Sequence, residues 1–325
     1  TGIDNQGNER TAVCCLSSLN LEKYDEWKDD KQFVEDIMRF LDNVMTDFIN
    51  RAPDSFKHAK YSAMRERSVG LGVMGLHSYF QQKEIPFGSV MSKVWNKKVF
   101  KDIQEKVDAA SITLAGERGS CPDAEEYGIK ERFSNKTAIA PTASISIICG
   151  GASPGIEPIA ANSYTHKTLS GSYNVRNKYL AKVLDKYNKN NDEVWSSITT
   201  NEGSVSHLDF LTEEERETFK TAFEIDQRWI VELGADRTPH ISQAQSVNVF
   251  IPADIHKKEL HDIHFQAWKK GLKSLYYCRS KSIQRAENIN SGSSTDVTKN
   301  VYSKSKNVEK ESDNKTDYEE CLSCQ

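Results

Sequence analysis

The strongest constraint on the fold is an alternation of short apolar runs with long amphipathic stretches. Thr11 to Leu21 (TAVCCLSSLNL), Ser68 to Leu76 (SVGLGVMGL), Thr137 to Pro141, Gln245 to Ile251 (QSVNVFI) and Lys273 to Cys278 are short and apolar. Runs of that length bounded by polar residues predict buried strands, the second of them either a strand throughout or a strand entering a helix. Between them the period changes. Lys31 to Arg51 repeats Val34, Met38, Leu41, Met45 and Phe48 at helical spacing, and Lys93 to Gly119 repeats Trp95, Val99, Ile103, Val107, Ala110 and Leu114. Gly119 and then Pro122 suit the end of that second helix. Thr212 with Glu215 reads as a capping box opening a helix through about Leu233, closed by Gly234. Asp254 can cap a further helix through Lys270, stopped by Gly271. About five buried strands alternating with long helices predict an α/β fold with a parallel sheet. There is no internal repeat of 20–50 residues.

Bulk properties exclude several classes. No apolar run approaches the roughly 20 residues of a membrane span, and mean hydropathy is -0.64. A net charge of -4 leaves no basic footprint for nucleic acid. The seven cysteines are unevenly spaced, unlike a secreted disulfide framework, and residues 1–10 are polar, unlike a signal peptide. The expectation is a cytoplasmic protein (host cytoplasm for a viral source) with reduced thiols. The polar lead from Thr1 runs straight into an apolar segment, so the chain is expected to begin inside a larger unit. From about Ser280 the composition turns polar, and residues 289–317 hold few large apolar side chains. Such a segment cannot offset its ordering entropy. Three parts follow: a folded body over residues 1–279, a flexible tether over 280–319, and a tail over 320–325. The 44 residues from Tyr277 to Cys321 give a root-mean-square span of roughly 35–40 Å.

Each motif has a plain alternative. Gly70-Leu-Gly72-Val-Met-Gly75 matches the dinucleotide-binding pattern literally. It follows Arg65-Glu66-Arg67 and not a strand, and about 20 residues on there is Lys93, Trp95 and Asn96 where an acid is needed. Close backbone packing explains these glycines better. Pro141-Thr-Ala-Ser-Ile-Ser146 can hold an anion on free backbone N–H groups or can simply cap a helix. His256, His261 and His264 share one predicted helix without a completing ligand, so a surface role is the expectation. Cys321-x-x-Cys324 lacks the second pair of a structural zinc site and suits thiol–disulfide exchange, or else is incidental. Cys14 and Cys15 fall on a predicted buried strand, where cysteines are usually inert, and Cys121, Cys149 and Cys278 are read the same way. Tyr276 and Tyr277 read first as buried packing. Neighbours on a regular strand point to opposite faces, so a shared role requires irregular backbone there.

Together these residues resemble the large, catalytic subunit of class I ribonucleotide reductase. Thr11-Ala-Val-Cys14-Cys-Leu-Ser-Ser-Leu-Asn20 is similar to the strand carrying one cysteine of the substrate-reducing pair, placed at Cys14. Ala140-Pro-Thr-Ala-Ser144 resembles the loop whose backbone holds the substrate's diphosphate. That implies substrate binding by Pro141, Thr142, Ala143, Ser144 and Ile145. Gly155-Ile-Glu-Pro158, Gln245-Ser-Val-Asn248 and Gly271-Leu-Lys-Ser-Leu-Tyr-Tyr277 follow in the family's order. Tyr276 and Tyr277 fall on its radical-transfer tyrosines, and Cys321 and Cys324 on the tail dithiol that re-reduces the active site.

The resemblance implies the second five-stranded half of a ten-stranded α/β barrel. It implies ribonucleoside-diphosphate reduction, with a radical from a metal-containing small subunit and a reset by thioredoxin or glutaredoxin. The resemblance implies no cofactor bound by this chain itself. The family's finger-loop pattern, Asn-x-Cys-x-Glu, does not occur in the sequence. The thiyl cysteine, the partner of Cys14, the first barrel half and the sites for ATP and dNTP effectors are therefore expected outside this sequence, either on a longer subunit of which it is a piece or on a second chain. A standalone dithiol oxidoreductase and a non-catalytic interaction protein are the other readings.

Overall fold

A computed structural model describes residues 2–168 and 171–280 of the chain. The expected tether and Cys321 with Cys324 lie outside the described residues. In chain order the elements begin with a short hairpin of β1 (Gly2–Ile3) and β2 (Glu9–Arg10), then β3 (Leu16–Asn20), α1 (Tyr24–Trp27), α2 (Lys31–Arg51) and α3 (Lys57–Glu66). Next come β4 (Gly70–Met74), α4 (Leu76–Gln82), α5 (Val90–Arg118), α6 (Pro122–Glu126) and α7 (Ala143–Ile148). A second hairpin, β5 (Ser163–Thr168) and β6 (Gly171–Arg176), leads to α8 (Lys178–Lys186), α9 (Asp192–Thr200), α10 (Glu213–Thr218) and α11 (Gln227–Arg237). The described chain closes with β7 (Val249–Ile251), α12 (Lys257–Lys269) and β8 (Cys278–Ser280).

The extended segments associate in parallel and in sequence order. β3 pairs with β4, Leu71 of β4 bridges to Thr137, Ile139 bridges to Gln245, and β7 pairs with β8. Five parallel segments are what the apolar runs predict. Parallel neighbours cannot be joined by tight turns, so helices fill the crossovers. The main core lies between these segments and α2, α4, α5 and α11. β4 is buried at every position. A side chain at Gly72 would meet the Ala138 carbonyl oxygen at 2.2 Å, and one at Gly70 would meet Leu16 Cδ2 at 2.3 Å. Gly75 adopts φ +81°, in the left-handed region, to turn the chain into α4. The glycine pattern is thus a packing device.

A buried carboxylate fastens the helices. Asp42 of α2 accepts from Arg67 at 2.7 Å, Arg118 at 2.7 Å and Arg132 at 2.9 Å. Burial alone would raise its pKa. Hydrogen bonds from Arg132 and Arg118 and the charge of Arg67 prevail and hold it below the ordinary value.

Several expectations need correction. The first run is a strand only from Leu16, and it is not wholly buried: Cys14 is exposed and Cys15 half-buried. Cys121 is buried, but Cys149 and Cys278 are exposed. The capping box at Thr212 is present, yet its helix ends at Thr218. Asn162 Nδ2 donates to the Phe219 carbonyl, and Asp226 starts a new helix by accepting from Arg228 N. Gly234 therefore lies inside α11. His256, not Asp254, caps α12. Lys273 to Tyr277 precedes β8 and does not form it. The hairpin and α8–α9 were not foreseen; α8 through Phe219 build a second apolar cluster around Trp195 and Leu180.

Gly72→Ala is expected to lower unfolding free energy by about 3 kcal/mol, since the obstacle is backbone that cannot swing aside. Gly116→Ala is the control. Its nearest neighbour would be Lys130 Nζ at 3.7 Å, and removing a helical glycine should stabilise by about 0.5–1 kcal/mol. Urea unfolding of the two variants checks both signs.

Candidate active site

Tyr276 and Tyr277 sit on the last parallel segment with their rings on the same side. The centroids are 4.1 Å apart at 49°, and the Tyr276 hydroxyl lies 3.4 Å from that of Tyr277. Both are about half exposed, 42% and 50%, so they are not core packing. The backbone from Lys273 to Tyr277 is irregular, as a shared role demands. Tyr277 N–H donates to the side-chain oxygen of Asn248 at 2.8 Å, and Asn248 Nδ2 donates to Glu157 Oε1. Asn248 and Glu157 are both buried. Burial pushes the Glu157 carboxyl up to about 7, although the positive charge of Arg279 and the Asn248 bond pull the other way. The Arg279 guanidinium also lies 5.8 Å from the Tyr277 ring centroid.

The expected substrate loop leaves the third parallel segment. Thr142 adopts φ 57° at the head of α7, an uncommon conformation for a β-branched residue. It is held there by Gly155 N–H, which donates to Thr142 Oγ1 at 2.7 Å. Gly155 packs so closely that a side chain would lie 3.0 Å from the Ala140 carbonyl oxygen. Residues 143–145 form the first turn of α7, where backbone N–H groups have no acceptor within the helix. Ser144 and Ile145 are exposed, Pro141 and Ala143 half-buried. A cavity of about 880 Å³ reaches from Ala143 past Gly150 and Asn162 to Glu157, Phe250 and Arg279. Of the loop residues, Ala143 lines the same space as Glu157.

Cys14 lies just ahead of β3, on the first parallel segment, whereas the tyrosines precede β8 on the last. The cysteine and the tyrosines therefore stand on the two outer segments of the set. His256 accepts from Lys258 N, His261 stacks on Phe265, and His264 Nδ1 meets the Leu260 carbonyl. Among the described residues no group of three or more His, Cys, Asp or Glu is arranged to hold a metal ion. Sequence reasoning did not single out Asn248, Glu157 or Arg279 as site residues. The first two stand in the QSVN and GIEP motifs, but 91 positions separate them and only folding brings them together.

Because the folded-state pKa of Glu157 is raised, its protonated form stabilises the fold. That contribution is present below about pH 4.5 and is lost as pH rises through about 7. Holding the buried carboxylate costs on the order of 3 kcal/mol. Glu157→Gln keeps an acceptor for Asn248 and cannot ionise. It should unfold at higher urea than wild type at pH 8.5 and at nearly the same urea at pH 5. A gap independent of pH would contradict this assignment.

Comparison with known proteins places these features. Residues 3–131 and 123–278 match the family model for the ribonucleotide reductase barrel domain. The chain is 50% identical over 286 residues to the ribonucleoside-diphosphate reductase large subunit of Invertebrate iridescent virus 6, which covers 87% of this chain and 30% of that relative. It is 39% identical over 320 residues to a putative ribonucleoside-diphosphate reductase large subunit of Frog virus 3, covering 98% and 53%. Among solved structures, the class Id ribonucleotide reductase alpha subunit of Actinobacillus ureae superposes with a TM-score of 0.79 at 39% identity, over 84% of this chain and 51% of that one. The chain spans about a third to a half of the length of these relatives. With more than half of its residues on the family model, the chain belongs to the ribonucleotide reductase barrel-domain family.

Proposed function

We propose that this chain works in the radical-based reduction of ribonucleoside diphosphates to 2′-deoxyribonucleoside diphosphates, supplying the second five-stranded half of a ten-stranded α/β barrel. The observation that carries the reading is the pair of phenols side by side, 4.1 Å between centroids and 3.4 Å between hydroxyls. An ordinary phenol holds its proton to a pKa of about 10. Removing its electron near neutrality therefore requires the proton to leave with it, and a second hydroxyl within reach provides that path. The five parallel segments and the loop at Pro141, Thr142, Ala143, Ser144 and Ile145 support the same reading.

In this scheme the oxidising equivalent comes from a metal-containing small subunit and passes through Tyr277 and Tyr276 to a cysteine on a second polypeptide. The first-turn amides of α7 hold the substrate's diphosphate, and helix dipole and amide groups both favour an anion there. The ribose 2′-hydroxyl leaves as water. Cys14 and a cysteine of the second polypeptide give up two electrons and two protons and become a disulfide. Cys321 and Cys324 take over that disulfide by thiol exchange and are reset by thioredoxin or glutaredoxin. Allosteric nucleotides, ATP and dNTPs, act on the second polypeptide. The assembly works in the cytoplasm, where the reductants are found.

Complementation tests the scheme. The chain alone should not reduce cytidine diphosphate. Activity should arise when it is mixed with a polypeptide carrying the first barrel half and with the small subunit. Turnover by the isolated chain would overturn the divided-barrel reading. In the assembled enzyme Tyr276→Phe should cut turnover by about 10³-fold or more, a barrier increase of about 4 kcal/mol. Substrate binding, measured by equilibrium dialysis, should be unchanged.

A further inference from the structure

Two neighbouring residues of a strand normally place their side chains on opposite faces, yet the Tyr276 and Tyr277 rings lie side by side, 4.1 Å apart and tilted. The hydrogen bonds give the reason. β7 and β8 are in parallel register with Val249 opposite Cys278, and Val249 N–H donates to the Tyr277 carbonyl. Continued back by two residues, a regular parallel ladder would send the Tyr277 N–H to the Val247 carbonyl. That carbonyl instead receives Tyr276 N–H, at 2.8 Å. Tyr277 is therefore an extra residue in the ladder, a bulge of the kind that re-aims a side chain. Its N–H has lost its strand acceptor, and Asn248 Oδ1 takes that place at 2.8 Å. The amide is clamped from behind, since its Nδ2 donates to buried Glu157.

We propose that Asn248 is the positioning residue of the tyrosine pair: its side-chain amide, fixed by Glu157, substitutes for a strand carbonyl and holds the bulge that brings the two phenols together. Leaving this part-buried N–H without an acceptor is costly. Without the Asn248 oxygen, the segment is drawn back to the regular register, which points the two rings to opposite faces. Only the consequence for turnover rests on the radical-relay reading; the bulge and its clamp do not.

The test has two arms. In the full chain alone, amide exchange followed by nuclear magnetic resonance reports the Tyr277 N–H directly. Asn248→Ala should speed its exchange by at least about tenfold and leave the core amide of Val73 unchanged. Asn248→Asp combined with Glu157→Gln reverses donor and acceptor between the two side chains while keeping an oxygen for Tyr277. This pair should restore protection, and so separates loss of positioning from loss of fold. Unchanged exchange in Asn248→Ala, or no recovery in the reversed pair, overturns the proposal. In the reconstituted assembly, Asn248→Ala should lower kcat about 10²-fold, the cost of misplacing reacting groups by about 1 Å. KM for cytidine diphosphate should hold and the reversed pair should recover kcat. Normal kcat alongside rapid exchange would show that the clamp does not serve the pair. If the wild-type assembly reduces no nucleotide, the proposed function fails while the exchange arm still decides the role of Asn248.

Discussion

The approach of β4 to its two neighbours is the contact on which the rest depends. With no side chain at Gly72, the Ala138 carbonyl oxygen lies where a Cβ would be, at 2.2 Å. Leu16 and Ala138 crowd Gly70 from either side. This lets segments from three distant parts of the sequence lie side by side, with Ser17 opposite Leu71 and Leu71 opposite Thr137. Once they are in register, the start of the loop at Pro141 is set. Pro141 follows the third segment by two residues, and Gly155 returns to grip it. Gly75, which follows β4, donates its N–H to the Ser153 carbonyl at 2.7 Å. Ser153 and Ser78 then exchange hydrogen bonds, tying α4 to the far side of that loop. Glycines that imitate a nucleotide-binding pattern thus serve the site indirectly, by bringing backbone close to backbone.

The helical layer is organised by a different force. Burying one carboxylate among three guanidiniums is favourable only while every charge is satisfied. Asp42 meets this condition, since both of its oxygens accept from arginines, and Arg67 also reaches Thr46 Oγ1 and the Asp42 carbonyl. The three arginines come from the end of α3, the last turn of α5 and the segment leading to Thr137. A single residue of α2 therefore fixes two helices and the entry to the third parallel segment. Hydrophobic burial supplies the driving force there, and this cluster specifies which surfaces meet.

β4 and β7 were legible in the sequence because they are apolar and buried over their whole length, and an apolar run between polar residues is visible without an alignment. The long helices α2 and α5 were legible for the same reason, through stripes such as Val34, Met38, Leu41 and Met45. The break between α10 and α11 was not. The apolar spacing runs on through it, and what stops the helix is Asn162, nearly 60 residues earlier, taking the Phe219 carbonyl. The tyrosines could be named from the sequence, together with the condition that their backbone be irregular. The cause of that irregularity could not, because it is a side chain on one segment standing in for the main chain of another. Asn248 looks like an ordinary strand residue until Tyr277 N–H is found on it.

The outer members of the parallel set bear on how such a chain is used. Among the described residues β3 pairs with β4 alone and β8 with β7 alone. Each therefore turns a row of backbone donors and acceptors outward, a condition that proteins seldom leave unprotected. β3 carries no charged side chain, whereas β8 is three residues long and carries Arg279. Leu16 is 45% exposed on the first edge, and on the last the phenols of Tyr276 and Tyr277 stand open. Apolar and aromatic groups beside unpaired strands suit continued pairing on both sides, the geometry by which a sheet closes into a barrel and loses its edges. Exposed Ile147 and Ile148 at the end of α7 add apolar surface beside the loop at Pro141. In the proposed scheme, closure by a second polypeptide would cover these groups and exclude water from the tyrosines and from Cys14 together. Water exclusion is what a relay through phenols requires, because inside a low-dielectric space the proton stays on the short path between the two hydroxyls and is not lost to solvent.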